Sequence, residues 1–474
     1  MLYCDGSMAD GPALSGYWLP DLPGLDLEVY ERPLGPGHVP LRLPMLTPRA
    51  LRQILTALKA NRAEFLARRS LLEIVAAIDA AARRLTTPGD AYYDELVTVL
   101  PQLTGYSVRM IEIGLERMGA AWKAEALHGS LEGEFGTVDV LDDFQPREPR
   151  GFQRAFGAPL TTHIFSGNIP GVSVASLIRA LCVKSAAFGK TAAGEPYFAV
   201  CFARALAAED PELASCLAVT YWPGGSEDLE AVAFSEAGVV IAYGADETVS
   251  GIASRVPPSV RFIGYRNRLG AALVSRGSLK RADVPSLARN AALDVVTFDQ
   301  QGCVSPHTIY VETGGETEPL DFARELGVAL GELAVEIPRG TMAPGESALI
   351  HQLRAQAEMR GATVLASEGG TEWTVILEDR VEFEPSPLNR VIQVQPVGDL
   401  SEAVTALESI GRHLQTVAIA VAADEVSALA ARLGAIGATR LVAVGEAAWP
   451  APHWHHDGRF QFLDLVHFVD LDTD

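Results

Sequence analysis

Apolar positions recur with two different periods along the chain, and the change of period separates a helical part from a mixed part. Over residues 47–85, apolar residues return every three or four positions behind a candidate N-cap at Thr47. A second run of this kind covers residues 90–127. We therefore expect helices from about residue 47 to residue 128. Residues 1–45, which are rich in Pro and Gly, predict an extended or short-stranded segment.

Beyond about residue 154, short apolar runs alternate with helical ones. The runs TTHIFSG and SAAFGK are predicted strands on either side of a predicted helix, VSVASLIRAL. A second stretch of this kind extends over residues 275–445. Strands that alternate with helices predict an α/β fold with two doubly wound, mostly parallel sheets.

Two further segments alternate apolar and polar residues. Residues 133–153 contain turn-forming residues and predict a hairpin or a protruding arm. The tail, residues 459–474, predicts a strand that could join the edge of a sheet in a partner. Together they suggest a small β arm and a homo-oligomer.

Composition narrows the class of protein. A chain of 474 residues with 48% apolar and 21% charged residues is typical of an ordered protein of two or three domains. Its net charge of −22 argues against binding to nucleic acid or to an anionic membrane surface. No run predicts a transmembrane helix or a signal peptide, and the five widely spaced cysteines fit free thiols, so we expect a cytoplasmic protein.

The most unusual cysteine is Cys303, in the stretch DQQGCVSP. A catalytic cysteine reacts as the thiolate and needs partial exposure. Gln300 and Gln301 would be poor core residues, and Gly302 would let the backbone approach a bound carbonyl. A minor core cysteine beside a turn is an equally good interpretation of this stretch alone. Cys182 and Cys201 lie in apolar runs and look like small buried hydrophobes, and Cys216 lies just before a predicted strand without polar neighbours.

Two further positions favour the nucleophile. In HIFSGNIPG, Asn168 lies at a turn between a strand and a helix, where its amide could donate to an oxyanion. Its alternative role is that of a turn residue. In SAAFGK, Lys190 ends a buried strand, where a lysine of a parallel sheet faces the ligand crevice. A solvated lysine at a strand end explains this position equally well.

Other chemistries find little support. The chain contains no GxGxxG, GxxxxGK[ST], HExxH or CxxC motif. PHWHHDG concentrates three histidines and Asp457, but adjacent histidines rarely bind one ion. We therefore expect no metal.

Taken together, these motifs resemble the aldehyde dehydrogenase superfamily. The chain is similar in particular to the acyl-CoA reductase family, which includes the fatty-acid reductase of bacterial bioluminescence. The resemblance runs from about residue 150 to the end, through HIFSGNIPG, ALCVKSAAFGKTAAGEP, VVIAYGADETV, RFIGYRNRLGAALV, DVVTFDQQGCVSP, HLQTVAIAV and WHHDG. It implies an aldehyde dehydrogenase-like fold. Its nicotinamide domain would comprise residues 1–132 and 154–274, its cysteine domain residues 275–445, and its oligomerisation arm residues 133–153 and 459–474.

The resemblance also implies roles for individual residues. Cys303 would be the nucleophile, Asn168 the oxyanion donor and His456 a proton donor near the site, unless that histidine only anchors its loop. Four residues would bind the cofactor: Ser166, Gly167, Lys190 beside the adenine-side ribose, and Gly244 where a helix start approaches the pyrophosphate.

The departures from the superfamily also carry information. The glutamate that activates water in hydrolytic members has no counterpart in GYRNRLG, which offers Tyr265, Arg266 and Asn267 instead. A second family glutamate would fall near SPLNR, where Ser386 and Asn389 stand. Without a base to activate water, an acyl group on the cysteine would pass to a thiol or be reduced.

The resemblance thus predicts an NADPH-dependent reductase that converts an acyl thioester such as acyl-CoA to the aldehyde. NADH remains a candidate cofactor, because Ala193 removes one carboxylate that would repel a 2′-phosphate while Glu195 lies two residues further on. A partner enzyme that transfers the acyl group is a further expectation. The alternatives are a CoA-acylating aldehyde dehydrogenase that runs oxidatively with NAD, and a non-catalytic acyl-binding scaffold.

Overall fold

The computed structural model describes residues 13–23 and 25–472, which form two compact units. The first unit comprises Met1–Thr104, Phe156–Ala242 and Ile252–Ile263, and the second comprises Gly105–Ala155, Tyr243–Gly251 and Gly264–Asp474, in each case over their described residues. Residues 105–132, which the sequence assigns to the cofactor domain, thus group with the second unit. The assignment of a cofactor domain and a cysteine domain stays a prediction.

The elements follow the predicted alternation. The strands are β1 (Leu14–Ser15), β2 (Val29–Leu34), β3 (Val39–Pro44), β4 (Gln145–Pro146), β5 (Phe152–Gly157), β6 (Leu160–Ile164), β7 (Ala186–Thr191), β8 (Leu217–Tyr221), β9 (Val239–Tyr243), β10 (Arg261–Tyr265), β11 (Leu269–Val274), β12 (Pro306–Glu312), β13 (Thr363–Ala366), β14 (Thr374–Leu377), β15 (Val391–Val397), β16 (Leu414–Ala420), β17 (Arg440–Ala443) and β18 (Val466–Leu471). The α-helices are α1 (Pro48–Asn61), α2 (Leu71–Thr86), α3 (Ala91–Thr104), α4 (Val108–Ala120), α5 (Ala124–Phe135), α6 (Val172–Cys182), α7 (Phe198–Glu209), α8 (Pro211–Ala214), α9 (Glu227–Ser235), α10 (Asp246–Ala253), α11 (Val284–Val296), α12 (Pro319–Glu336), α13 (Pro344–Met359), α14 (Leu400–Glu408) and α15 (Val426–Ala435).

The helices predicted from residue 47 onward are confirmed as α1 to α5. Thr47 caps α1, since its side chain accepts a hydrogen bond from the backbone N–H of Ala50 at 3.1 Å. Ser70 and Glu73 form a capping box at the start of α2. Apolar side chains on one face of α1, among them Leu51 and Leu58, enter the core, so the period read from the sequence matches the buried face.

The first unit is organised around a five-stranded sheet of order β10-β9-β6-β7-β8. The pairs β6–β7, β6–β9 and β7–β8 are parallel, and α6 connects β6 to β7 as the sequence predicts. The central strands are buried along their whole length, which is typical of a parallel sheet with helices on both faces. A smaller sheet of order β1-β3-β2 contains the strands of the first segment.

The second unit is organised around a seven-stranded sheet of order β13-β14-β15-β12-β11-β16-β17. Its pairs are parallel except for β13–β14, which is antiparallel. One face of the sheet packs with α14 and α15 into an apolar core that includes Leu273, Leu407 and Leu433. The central strand is β12, and Cys303 lies three residues before it.

A three-stranded sheet of order β18-β5-β4 completes the second unit. The predicted hairpin is confirmed as the antiparallel pair β4–β5, although residues 138–141 form a 3₁₀ turn instead of a strand. The tail forms the predicted strand as β18, but this strand pairs with β5 of its own chain, whereas the sequence suggested the edge of a sheet in a partner. Arg147 connects the two through an ion pair with Asp470 at 2.7 Å.

Among the described residues, no helix is long and apolar enough to cross a membrane. Cys182, Cys201 and Cys216 are buried and unpaired, as predicted, whereas Cys303 is partly exposed. Cys4 lies outside the described residues.

Candidate active site

Cys303 follows a run of residues in an unusual backbone conformation. Phe298, Asp299 and Gln300 have φ angles of 48°, 50° and 67°. Residues other than glycine rarely occupy this left-handed region, and each one costs free energy unless its surroundings hold it in place. The chain before the cysteine must therefore be fixed by tertiary contacts.

Phe298 supplies one of these contacts, against α4. Its ring packs edge-on against Tyr106, with the centroids 5.4 Å apart. A Cβ atom at Gly114 would come within 3.0 Å of the Phe298 ring, so α4 needs a glycine where this ring packs. The first left-handed residue is thus anchored in the core of the second unit.

A second left-handed run holds the first. Leu388, Asn389 and Arg390 have φ angles of 65°, 54° and 63°. The backbone N–H of Asn389 donates to the carbonyl oxygen of Asp299 at 3.0 Å, and the guanidinium of Arg390, which is fully buried, lies 2.7 Å from the Asp299 carboxylate. The other carboxylate oxygen of Asp299 accepts from the backbone N–H of Gly340 at 3.0 Å.

Gln300 connects the two runs, and its burial corrects the expectation that it is a poor core residue. Its side chain is fully buried, because the amide has partners for both of its ends. The nitrogen donates to the carbonyl oxygens of Pro306 and Val391 at 2.8 and 2.9 Å, and the oxygen accepts from the backbone N–H of Val391 at 3.0 Å. Ser386, near the position of a family glutamate, also donates to the Val391 carbonyl oxygen at 2.5 Å.

The thiol of Cys303 lies among polar side chains of the second unit. Gln415 hydrogen-bonds to it, and the charges of Asp457 and Arg268 act on it from nearby. Although the residue as a whole is half-buried, loss of hydration raises the pKa of the Cys303 thiol to about 12, and the negative charge of Asp457 adds to the increase. At neutral pH the resting thiol is therefore protonated, and its use as a nucleophile requires the pKa to fall when substrate binds.

The carboxylate of Asp457 has a hydrogen bond at one oxygen and an ion pair at the other. Gln415 donates to one of its oxygens, and the guanidinium of Arg268 lies 2.9 Å from the other. The Asp457 side chain is 2% exposed. A carboxylate held in this way is poorly placed to activate a water molecule.

His456 lies in a row of stacked rings, beside Asp457 in the chain. Tyr243 stacks on Tyr265 with the centroids 4.8 Å apart, Tyr265 on His456 at 4.3 Å, and His456 on Trp454 at 4.8 Å. The guanidinium of Arg440 lies over the Trp454 ring at 5.7 Å. The stack fixes the plane of the imidazole, while its role as proton donor stays a prediction. Among the described residues, no group of histidines, cysteines and carboxylates could hold a metal ion.

The predicted oxyanion donor lies in the first unit, after β6. Asn168 is exposed, and its side-chain oxygen accepts a hydrogen bond from the hydroxyl of Ser166 at 2.8 Å. This bond uses the oxygen of the amide and not the nitrogen that an oxyanion needs. A Cβ atom at Gly167 would approach the Cα atom of Gly194 to 2.9 Å, so this turn needs glycine for its own packing.

Lys190 is the last but one residue of strand β7 in the first unit, and it lies in a buried and charged setting. The residue is 9% exposed, and its ammonium lies 5.7 Å from the centre of the Tyr221 ring. Burial lowers the pKa of Lys190, and the nearby carboxylate of Glu230 opposes this effect. A buried lysine at the carboxyl end of a parallel strand fits a ribose or phosphate group.

The structure explains what the carboxylate of Glu195 does. Its oxygen accepts from the backbone N–H groups of Tyr197 and Phe198 at 2.9 and 2.7 Å, at the start of α7. The residue is 3% exposed, and burial raises its pKa. Glu195 is thus occupied as a helix cap, whereas Ala193 is exposed.

Gly244 lies between β9 and α10 and has a φ angle of 153°. A Cβ atom there would meet only Thr248, at 3.7 Å, so crowding within the protein does not require glycine. The first turn of α10 carries Asp246 and Glu247, which would repel an anion, but Arg266 donates to the carbonyl oxygen of Asp246 at 3.0 Å and places a positive charge beside that turn. Binding of a pyrophosphate at this helix start stays a prediction.

A sequence model of the family described as "Acyl-CoA reductase (LuxC)" matches residues 66–468. The chain belongs to this family. A long-chain acyl-protein thioester reductase from Aliivibrio fischeri is 26% identical over 337 residues, which are 69% of this chain and 66% of that protein. A reductase of the same name from Photorhabdus laumondii is 24% identical over 378 residues, or 78% of this chain and 75% of that protein. The match thus spans slightly less than two thirds of the first of these relatives.

Solved structures establish the fold of this acyl-CoA reductase family member. Aldehyde dehydrogenase 21 from Physcomitrella patens has a TM-score of 0.74 at 13% identity, over 97% of this chain and 98% of that one. The glyceraldehyde-3-phosphate dehydrogenase GapN from Methanocaldococcus jannaschii, complexed with NADP, has a TM-score of 0.70 at 12% identity, over 94% of this chain and 100% of that one. The predicted aldehyde dehydrogenase-like fold is confirmed.

The sequence argument missed the residues that surround the thiol. Gln415 lies in HLQTVAIAV and Arg268 in GYRNRLG, and both segments carried the resemblance without either residue being selected. In WHHDG, the resemblance pointed to His456 and not to Asp457. A polar residue inside an otherwise apolar strand, as Gln415 is in LQTVAIA, was the signal available.

Proposed function

We propose that this protein reduces an acyl thioester to the aldehyde with NADPH, through an acyl group carried on Cys303. Membership of the acyl-CoA reductase family and the names of its relatives support an oxidoreductase of this class. The observation that carries the proposal is the setting of Cys303. Among the cysteines that the structure describes, it alone is partly exposed, and it follows a backbone turn held by the Asp299–Arg390 pair.

The reaction starts with the thiolate of Cys303, which attacks the carbonyl carbon of the thioester. The donor thiol leaves with a proton, for which we propose His456 as the source, and the acyl group remains on the sulfur. A nicotinamide cofactor, when bound, supplies the hydride for the acyl carbon. The amide of Asn168 and the backbone N–H of Cys303 stabilise the oxyanion, each contributing about 3 kcal/mol. Cleavage of the carbon–sulfur bond then releases the aldehyde and restores the thiolate.

Reduction is favoured over hydrolysis because the carboxylate near the thiol is engaged. The upstream segment GYRNRLG offers no carboxylate, and Asp457 is held by Gln415 and Arg268. Neither segment therefore offers an acyl group on Cys303 a free carboxylate to activate water, and the acyl group persists until hydride or a thiol reaches it.

NADPH is the proposed cofactor because the carboxylate that could repel its 2′-phosphate is occupied elsewhere. Glu195 caps α7, and Ala193 leaves the exposed position of this turn uncharged. Ser166, Gly167, Lys190 and Gly244 are the proposed binding residues. The neighbours include one structure complexed with NADP and another complexed with NAD, so the fold itself does not favour either cofactor.

The acyl donor is proposed to be acyl-CoA or an acyl group carried by a protein. The relatives are named acyl-protein thioester reductases, which favours an acyl-transferring partner enzyme as one source. The three-stranded sheet that includes β18 is the proposed contact for a homo-oligomer, because β18 is an outer strand.

A reductase assay tests the proposal. Wild-type protein, the Cys303→Ala variant and a Cys216→Ala control would receive acyl-CoA of increasing chain length and an acylated carrier protein, each with NADPH and with NADH. We expect aldehyde from the wild type and the control only, with NADPH preferred. Faster acyl-CoA formation from aldehyde, CoA and NAD would favour the oxidative alternative. A scaffold would turn over in neither direction, and an acyl analogue would not label Cys303 preferentially.

A further inference from the structure

We propose that Gln415 is a catalytic residue that holds the thiolate of Cys303, and that the Arg268–Asp457 ion pair positions its amide and sets the pH range in which the thiolate forms. This inference rests on the proposed function, because it assigns a role to groups around the proposed nucleophile. All four residues belong to the second compact unit.

The amide of Gln415 has a defined orientation. Gln415 is the second residue of β16 and is fully buried. Its nitrogen donates to the Asp457 carboxylate, which can only accept, so the reversed amide would place two oxygens against each other. The nitrogen is therefore the end of the amide near the carboxylate and the thiol, where a second N–H can donate to sulfur.

The other end of this amide has no partner. Oε1 of Gln415 is buried without a hydrogen-bond partner among the described residues. A buried amide oxygen without a partner costs about 1–3 kcal/mol, and such groups concentrate at functional sites. The hydrogen bond to Asp457 uses only one N–H of the amide, and the second N–H is the one that can hold a thiolate.

The ion pair acts on the amide and on the thiol. Arg268 lies just before β11 and is about one fifth exposed on its side chain, while Asp457 is almost fully buried. Asp457 has a φ angle of 55°, so its backbone is held in the left-handed region where it presents the carboxylate to Gln415 and Arg268. Without Arg268, a carboxylate so close to the thiol would carry an uncompensated buried charge.

The charged groups that face the thiol come from three separate segments of the chain. Asp457 lies in the segment before β18, Arg268 precedes β11, and Arg440 begins β17. The negative charge of Asp457 opposes formation of the thiolate, whereas the positive charges and the Gln415 amide favour it. Gln415 and Asp457 therefore act in opposite directions on the same sulfur atom.

The rate of Cys303 alkylation tests this arrangement in the full chain. Iodoacetamide would be added between about pH 7 and about pH 10, where the rate follows the thiolate fraction, and the peptide with Cys303 would be quantified by mass spectrometry. Asp457→Asn keeps a hydrogen-bond acceptor and suits a left-handed backbone, yet removes the charge. Gln415→Leu removes the amide at similar volume.

We expect the two variants to change the rate in opposite directions. Asp457→Asn should alkylate about tenfold faster than the wild type at each pH, because the opposing charge is gone. Gln415→Leu should alkylate at least about threefold more slowly, because the thiolate loses its donor. Gln395→Leu, which changes a buried glutamine of β15, and Asp464→Asn, which changes an acid paired with Arg459, should alkylate at the wild-type rate.

Wild-type rates in both variants, or a change in the same direction in both, would overturn the proposal. If Gln415→Leu does not fold, Asp457→Asn decides alone: a rate at or below that of the wild type contradicts the role of the ion pair. The test does not depend on reductase activity. Alkylation rates that move as expected in a protein that never forms an acyl-cysteine would show that Gln415 and Asp457 control the reactivity of the thiol, while the proposed function, and with it the catalytic role of Gln415, fails.

Discussion

The carboxylate of Asp299 and the guanidinium of Arg390 form a buried ion pair and lie 2.7 Å apart. Asp299 precedes Cys303 by four residues in the chain. Each partner belongs to a run of three left-handed residues, and the two runs share the backbone hydrogen bond from Asn389 to Asp299. Two strained segments thus hold each other in place. This arrangement gives the cysteine a fixed backbone without a disulfide or a metal.

Loss of one partner of this pair should destabilise the protein severely. Arg390→Leu leaves the Asp299 carboxylate buried without its cation, which typically costs about 3–5 kcal/mol. Chemical denaturation measures the free energy of unfolding. The exposed pair of Arg324 and Asp321 provides the control, since Arg324→Leu should cost less than about 1 kcal/mol. Equal losses in the two variants would show that the buried pair does not hold the turn.

Glu195 should matter for stability and not for the choice of cofactor. Glu195→Ala removes the acceptor for two backbone N–H groups at the start of α7, a loss of about 1–2 kcal/mol. We expect the ratio of the NADPH and NADH dissociation constants to stay unchanged in this variant, as measured by quenching of protein fluorescence.

A change at Ala193, two residues before Glu195, should alter the choice of cofactor and not the stability. Ala193→Glu adds a carboxylate to an exposed turn, and we expect it to weaken NADPH binding at least about tenfold relative to NADH, with little change in stability. A changed cofactor ratio in Glu195→Ala, or an unchanged one in Ala193→Glu, would contradict the proposed reason for using NADPH.

Asp294 should make stability depend on pH. It accepts from the backbone N–H groups of Gly445 and Ala447 at 2.7 and 2.8 Å, and burial raises its pKa from 3.8 to about 7 despite these bonds and the nearby Arg440. Because the folded-state pKa is the higher one, the stability that protonated Asp294 contributes is complete below 3.8 and is lost as the pH rises toward about 7.

Unfolding measured across this range checks the sign. The free energy of unfolding of the wild type should fall relative to that of Asp294→Asn as the pH rises to about 7, and the difference should be constant above it. Asp321→Asn, at an exposed position, should follow the wild type throughout. A difference that grows in favour of the wild type with rising pH would contradict the raised pKa.

Periodicity was enough to predict the helices, the parallel strands and the hairpin, because each buries a face that repeats along the sequence. Periodicity did not predict the conformation of the segment around Cys303. Hydrophobicity predicts Gln300 at the surface, because it carries no information on a buried amide that is held in part by Val391, about 90 residues away. Three consecutive left-handed residues without glycine are likewise invisible to turn rules, which depend on glycine and asparagine.

The sequence singled out Cys303, whose role as nucleophile stays a prediction, but not the polar residues that surround its thiol. Cys303 stood out through its neighbours in the chain, whereas Gln415, Asp457 and Arg268 come together only through the order of strands in the seven-stranded sheet. Strand order depends on long-range packing, so a single sequence does not specify which polar residues will meet. GYRNRLG contains no carboxylate, but the carboxylate of Asp457, from a distant segment of the chain, lies near the thiol.

Capture of the acyl-enzyme tests the central claim most directly. The protein would be mixed with an acyl thioester without cofactor, and the mass of each cysteine peptide measured before and after addition of NADPH. The account predicts one acyl group on Cys303, none on Cys182, Cys201 or Cys216, loss of this mass with release of an equal amount of aldehyde after NADPH, and no acylation in Cys303→Ala. Acylation and aldehyde release that persist in Cys303→Ala would contradict it.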